Sequence, residues 1–117
     1  MFKSVVIICI LLLSNLAFAS PPSIHEYQKN DKKDHLDMYI YGLERGLDWS
    51  QEYVYSKYAL EFFCKPGDLV LSAKQLRLLI DKEIDENSSF YTKYKDAPLL
   101  GLALRNAYIA SFPCDDQ

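Results

Sequence analysis

A pair of cysteines, Cys64 and Cys114, constrains the fold of this 117-residue chain more than any other feature. A third cysteine, Cys9, lies in an apolar leader and is expected to leave with it. An even pair in a small exported domain is most simply a disulfide; a metal site or a reactive thiol is the alternative, but no C-x-x-C motif accompanies the pair. The bridge would close a loop of 51 residues (64 to 114 inclusive), which the chain-entropy model stabilises by roughly 4 kcal/mol.

The N-terminus has the pattern of a secretory signal peptide. Lys3 precedes an unbroken apolar run, and Ala17 and Ala19 form an A-x-A cleavage step. The alternative interpretation is a membrane anchor, but the apolar run is short for a segment that spans a bilayer. We expect cleavage after Ala19, so that residues 1–19 are removed and the protein is periplasmic with no further membrane contact. Cleavage removes one of 13 basic residues and none of 16 acidic ones, which changes the net charge from −3 to −4.

Apolar residues of the remaining chain recur at helical spacing in three segments. Ser72 and Gln75 form an S-x-x-Q capping box at the start of one helix. A later helix opens at Pro98 and ends before Pro113. An earlier helix begins at about Asp34. A strand is conceivable only at the short stretch 69–71.

These patterns predict one all-α domain, a small bundle of three to four helices cross-linked by the disulfide. The domain covers residues 34–117 and follows a polar, mobile segment, residues 20–33. Residues 52–63 either extend the first helix or form a tyrosine-rich connection. The composition of Lys65–Asp68 predicts a turn. The disulfide would therefore link the end of the last helix to the turn that precedes the middle helix.

The sequence offers no recognisable catalytic, cofactor or metal motif. His25 and His35 lie in or beside the polar N-terminal segment, where solvent exposure is the simpler interpretation. The acidic stretch "DKEIDEN" lacks the ligand pattern and central glycine of a calcium loop. A negative net charge argues against a nucleic-acid partner. We therefore expect a protein that is not an enzyme and that has no cofactor and no metal.

Nine tyrosines exceed what three helices need for a core. Tyr53, Tyr55 and Tyr58 crowd the stretch before Cys64, and Tyr91 and Tyr94 lie between the last two helices. Tyrosine is enriched at protein interfaces, although a small domain can also bury tyrosines whose hydroxyl groups are hydrogen-bonded.

Two glycines, Gly42 and Gly46, lie four residues apart on one flank of the first helix. Each costs up to ~1 kcal/mol relative to alanine in a helix, and a missing side chain lets another backbone come close. We therefore predict helix packing at Gly42, Gly46 and Trp49.

Four short motifs follow one another between Met38 and Cys114: G-x-x-x-G-x-x-W, F/Y-C-x-P, Q-L and a closing A-L…F-P-C. Their residues are Gly42, Gly46, Trp49, Phe63, Cys64, Pro66, Gln75, Leu76, Ala103, Leu104, Phe112, Pro113 and Cys114. In this order, with a signal peptide, the motifs resemble the Rap/Tai family of type VI secretion immunity proteins. The resemblance implies an all-α, disulfide-linked periplasmic inhibitor, with no catalysis of its own, of a peptidoglycan amidase-type effector, and often a homodimer.

The chain departs from the family pattern at residues 52–60 and 85–96, which makes these stretches candidates for partner recognition. Our first candidate for the toxin contact is the 85–96 connection, with Glu86, Tyr91 and Tyr94. The rival is the Tyr53–Tyr58 stretch, which could equally be a dimer interface. Two other classes remain open: a periplasmic acid-stress chaperone that binds unfolded clients, and a secreted enzyme fragment or effector.

Overall fold

The computed structural model describes residues 20–29 and 33–115, and regular structure within these residues is entirely helical. The helices are α1 (Ile24–Lys29), a 3₁₀ turn (Lys33–Leu36), α2 (Asp37–Tyr58), α3 (Ala73–Glu86), α4 (Ser88–Lys93) and α5 (Leu100–Ser111). Helix α3 packs against α5, and α2 packs against both. The expected signal peptide and cleavage site, residues 1–19, lie outside the described residues.

Local sequence explains where the middle helix begins. The Ser72 hydroxyl accepts a hydrogen bond from the Gln75 amide at 3.2 Å, and the Gln75 side chain accepts one from the Ser72 amide at 2.8 Å. The predicted capping box is therefore confirmed. The predicted turn before it is confirmed as well, since the Leu69 amide donates to the Pro66 carbonyl at 3.0 Å.

Helix α2 extends beyond the segment whose apolar residues recur at helical spacing and ends at Tyr58. Its 22 residues span about 33 Å at 1.5 Å per residue. Of the two readings left open for residues 52–63, the helix continues through Tyr58. It ends where Ala59 adopts a left-handed conformation with φ of 55°, and the residues that follow form an irregular segment.

The core lies where the faces of α2, α3 and α5 meet, and it takes side chains from α1 and α4 as well. Its buried members are Ile24, Tyr27, Ile40, Phe63, Leu76, Ile80, Ile84, Tyr91, Leu100, Ala103, Leu104 and Tyr108. Apolar residues at i, i+4 and i+8 on α3 follow the predicted stripe.

A disulfide joins Cys64 to Cys114 with the two Cα atoms 5.0 Å apart. Beside it, the Cys64 amide donates a hydrogen bond of 2.7 Å to the Phe112 carbonyl. The irregular segment after α2 is thus tied to the end of α5. The predicted all-α bundle with one disulfide is confirmed.

The segment before α2 differs from our expectation of a polar, mobile stretch. Ile24 and Tyr27 of α1 are fully buried, and the Ile24 and His25 amides donate to the carbonyls of Ala97 (3.2 Å) and Lys95 (2.8 Å). The expectation is wrong for α1 because two apolar side chains one helical turn apart are enough to dock a short helix.

The predicted packing at Gly42 and Gly46 is wrong within this chain. Both residues are exposed, and a Cβ added at either would meet nothing within 4 Å. Trp49 is also 63% exposed. Close approach occurs at Gly101 instead, where an added Cβ would lie 3.3 Å from Cδ2 of Leu43, so it is α5 that needs a small residue against α2.

Candidate functional site

Exposed aromatic and aliphatic side chains concentrate at the C-terminal end of α2 and just beyond it. This set, called here the aromatic surface, wraps around the helix end, because Tyr53 and Tyr55 are two residues apart and point to different sides of the helix. It consists of Trp49, Tyr53, Tyr55, Tyr58, Leu60 and Phe62, which are between 44% and 63% exposed. It exists because α2 continues past the core: its fully buried side chains all lie in the N-terminal half of the helix. Large apolar side chains grouped on a surface commonly mark a site of interaction.

A groove runs beside this surface, between α2 and the irregular segment 61–71. Its volume is about 660 Å³, within the range of ligand sites in proteins. One wall is a stripe along α2 with spacings of three and four residues, so its side chains share one helix face. The stripe consists of Tyr41, Arg45, Asp48, Glu52 and Tyr55, with Trp49 beside it; the other wall includes Glu61, Phe63, Lys65, Leu69 and Val70.

Gln51 ties the two walls together through its side-chain amide. The Gln51 Oε1 accepts hydrogen bonds from the amides of Phe62 (2.7 Å) and Phe63 (3.4 Å), and its Nε2 donates to the Leu60 carbonyl (3.3 Å). The chain therefore turns back along α2 immediately after Ala59. Farther up the groove, the Tyr41 hydroxyl accepts a hydrogen bond from the Ala73 amide at 2.9 Å.

A second tie is an ion-pair network at the bottom of the groove. The Lys65 Nζ lies 3.0 Å from the Glu44 Oε1 and 3.0 Å from the Asp48 Oδ2, and the Lys65 and Glu44 side chains are each only 9% exposed. The Tyr108 hydroxyl donates to Glu44 at 3.4 Å, and the Lys65 ammonium lies 5.5 Å from the Tyr108 ring centroid. One buried carboxylate, one partly exposed carboxylate and an aromatic face thus fix the residue that follows Cys64.

Electrostatics keep the Lys65 ammonium charged. Desolvation by burial lowers its pKa, but the hydrogen bonds and the attraction of Glu44 and Asp48 outweigh that effect and raise the pKa above its ordinary value of 10.5. Burial also raises the pKa of the Tyr108 hydroxyl well above its ordinary value, and the neighbouring Glu44 charge adds to this. Lys65 therefore keeps its charge, and Tyr108 keeps its proton, through the neutral range.

The groove as a whole is acidic. Four carboxylates line it, and Arg45 and Lys65 are its two cations. Lys65 neutralises the charge at the bottom together with Arg45, whose guanidinium lies 3.3 Å from Asp48. The other two carboxylates, Glu52 and Glu61, are exposed and belong to opposite walls of the groove.

The structure separates the six residues that we predicted to contact a partner. Tyr53, Tyr55 and Tyr58 are each 56% exposed and belong to the aromatic surface. Tyr91 is 2% exposed and is a core residue, so its side chain is not available to a partner.

Glu86 and Tyr94 are exposed, at the end of α3 and just after α4. They are separated from the aromatic surface in the sequence and lie outside the groove. The 85–96 stretch is thus mostly helical, with its central tyrosine turned inward.

In the described part of the chain, Glu61, Cys64 and Cys114 have ligand-type atoms within 4.8 Å of one another. The two sulfur atoms are bonded to each other, so neither is a thiolate. Glu61 Oε2 lies 3.2 Å from Cys64 Sγ, which is a contact and not a hydrogen bond because a disulfide sulfur carries no proton. This group is therefore not a metal centre in the oxidised protein. His25 and His35 are both exposed.

Sequence reasoning missed Gln51, Glu44 and Lys65, although a signal for one of them was present. Glu44 lies on the same helix face as Ile40 and Leu47, where a charged side chain requires a buried partner. The partner could not be named because Lys65 is 21 residues away in the sequence. Gln51 gave no local signal at all.

Fold and groove together define the chain as a small, disulfide-linked, all-α domain with a preformed surface groove. Comparison with family models, with curated proteins and with solved structures finds no match. Within the described residues, no helix combines the length and the apolar character needed to cross a membrane.

Proposed function

We propose that this protein is a periplasmic immunity protein that binds and inhibits a cognate type VI secretion effector of the peptidoglycan amidase type. It protects the producing cell and its kin by occluding the effector, with no catalysis of its own. The proposal begins from the ordered motifs that resemble the Rap/Tai family. Because the motifs are short and the comparisons find no match, structural support has to come from the surface itself.

The observation that carries the proposal is the aromatic surface beside a cross-linked groove. Tyrosine and tryptophan contribute large contact areas and lose little side-chain entropy on binding. Gln51 and Lys65 hold the second wall against α2, and the disulfide fixes the same wall to α5. A partner would therefore meet a surface that is already ordered, which lowers the entropic cost of association.

The location of the surface changes our choice of contact region. Of the two candidate regions, the Tyr53–Tyr58 stretch presents three exposed tyrosines, of which Tyr55 lines the groove, whereas Tyr91 of the 85–96 connection is buried. We therefore assign the effector contact to the aromatic surface and the groove. A homodimer is a separate proposal, which sedimentation of the purified protein tests directly.

Growth of a bacterial host tests the proposed function. Amidase-type effectors encoded next to this gene are targeted to the periplasm, alone or with this chain carrying its own leader. We expect lysis with the effector alone and normal growth when both are present, and a version of this chain without residues 1–19 should not protect. Continued lysis with every neighbouring effector would refute the proposal.

An acid-stress chaperone is the competing function, since exposed aromatic side chains could also bind unfolded clients. Such a protein suppresses aggregation of many unrelated clients at acid pH after opening its structure. An immunity protein keeps its fold and binds one partner near neutral pH. Light scattering of two unrelated acid-denatured proteins, with and without this chain, separates the two functions.

A further inference from the structure

The groove between α2 and the 61–71 segment has features that specify the chemistry of what it binds. We propose that it is the docking site for an extended basic segment, with arginine or lysine alternating with apolar residues, contributed by the inhibited effector. This inference rests on the proposed function and adds to it the part of the partner that is recognised and the residues that recognise it.

Charge is the first argument. Carboxylates outnumber cations in the groove lining by four to two, and the two cations are held by Glu44 and Asp48 at the bottom. The Glu52 carboxylate makes no hydrogen bond or ion pair with any residue in the described ranges 20–29 and 33–115. Glu61 carries the second exposed negative charge on the facing wall. A cationic side chain that enters the groove would meet a carboxylate on either wall.

Aromatic side chains at the same rim favour the same occupant. Trp49 and Tyr55 are 63% and 56% exposed and line the groove next to Glu52. Arginine and lysine bind over such rings through cation–π contacts, for which tryptophan is the best partner. Val70, which is 88% exposed on the opposite wall, offers an apolar contact for residues between the cations.

The length of the groove distinguishes a peptide segment from a small cation. The α2 wall runs from Tyr41 to Tyr55, a rise of about 21 Å over 14 residues. An extended chain covers about 3.3 Å per residue, so a segment of about six residues matches the wall. A single metal ion would contact only a small part of this length.

The test uses the intrinsic fluorescence of Trp49, which is the single tryptophan of the chain and lines the groove. The mature, oxidised protein is titrated with a capped hexapeptide in which arginine alternates with leucine, and with the same peptide carrying glutamate in place of arginine. We expect saturable quenching or a spectral shift with the basic peptide alone. Equal responses to both peptides, or no response to the basic peptide, would overturn the inference.

Substitutions of the groove carboxylates test whether the basic peptide binds in the groove. The double substitution Glu52→Gln/Glu61→Gln keeps side-chain size and should weaken the basic peptide about tenfold, the size expected for two partly exposed charge contacts. Glu86→Gln is the matched control, because Glu86 is also exposed but lies outside the groove, and it should leave binding unchanged. Unaltered affinity in the double variant would place the peptide elsewhere and contradict the proposal.

A second readout separates this inference from the proposed function. In the growth assay, the double variant should protect less well than the wild-type chain, and Glu86→Gln should protect as well. Full protection by the double variant would overturn the groove as the effector's docking site while leaving the immunity function intact. Failure of the wild-type chain to protect would instead refute the immunity function, and the peptide titration would still report on the groove.

Discussion

The ion-pair network beneath the groove can be tested by removing its cation with Lys65→Met, a substitution of similar length. The loss leaves the Glu44 carboxylate, which is 9% exposed, with Arg45 at 3.8 Å and the Tyr108 hydroxyl at 3.4 Å as its remaining partners. Breaking a buried pair by removing one partner costs about 3–5 kcal/mol. We expect about 3 kcal/mol, because Asp48 is 21% exposed and can recover part of its hydration.

A double-mutant cycle measures how much of this loss of folding stability comes from the interaction between Lys65 and Glu44. Glu44→Gln should cost about 1–2 kcal/mol, because Lys65 keeps Asp48 as a partner. The double variant removes both charges and should cost about 2 kcal/mol, which is less than the sum of the single losses by about 2–3 kcal/mol.

Urea unfolding at pH 7, followed by circular dichroism with the disulfide intact, measures all three losses. The raised pKa of Lys65 means that its contribution is complete below about pH 10.5. The cost should therefore be the same at pH 6 and pH 9. Additive losses, or a Lys65→Met cost below about 1 kcal/mol, would refute the reasoning.

Three further predictions concern single residues. Tyr27→Phe removes the 2.7 Å hydrogen bond to Asp81 and should cost about 1.5 kcal/mol in urea unfolding; no loss would mean that α1 docks through its apolar contacts alone. Ala59→Gly relieves a left-handed residue (φ of 55°) and should stabilise the protein by about 0.5–1 kcal/mol, seen as a higher melting temperature; a lower one would contradict the assigned helix end. Burial, reinforced by the charge of Glu83, raises the pKa of Tyr91 to about 12 from 10.0, so its stabilisation is complete below pH 10 and lost between pH 10 and 12. Absorbance of the folded protein at 295 nm should lose a late ionisation step in Tyr91→Phe, and an unchanged titration curve would argue against its burial.

Much of the fold could be predicted because its signals are local. The capping box, the apolar stripe of α3 and the turn before Ser72 each depend on residues within one or two helical turns of one another. The disulfide was predictable for a different reason: once Cys9 is assigned to the expected leader, the two remaining cysteines offer only one intramolecular pairing.

The errors have a common physical origin. Glycines on one flank of a helix do not reveal whether anything lies opposite them, and Gly42 and Gly46 face open space while Gly101 packs against Leu43. Tyrosine is ambiguous in the same way, because its ring suits both core and interface. Tyr91 is buried and Tyr53 is exposed, and the difference depends on which elements pack together.

The site was harder to predict than the fold because long-range contacts create it. Four consecutive residues of the irregular segment, Phe62 to Lys65, are held by three sets of contacts. Gln51 of α2 binds the Phe62 and Phe63 amides, the end of α5 holds Cys64, and two carboxylates of α2 hold the Lys65 side chain. Each of these contacts holds a different atom of the chain, so no single contact accounts for the position of the 61–71 wall of the groove. An irregular segment without regular backbone hydrogen bonding acquires a fixed shape in this way, and the groove beside it can remain open and preformed, as recognition of a partner requires.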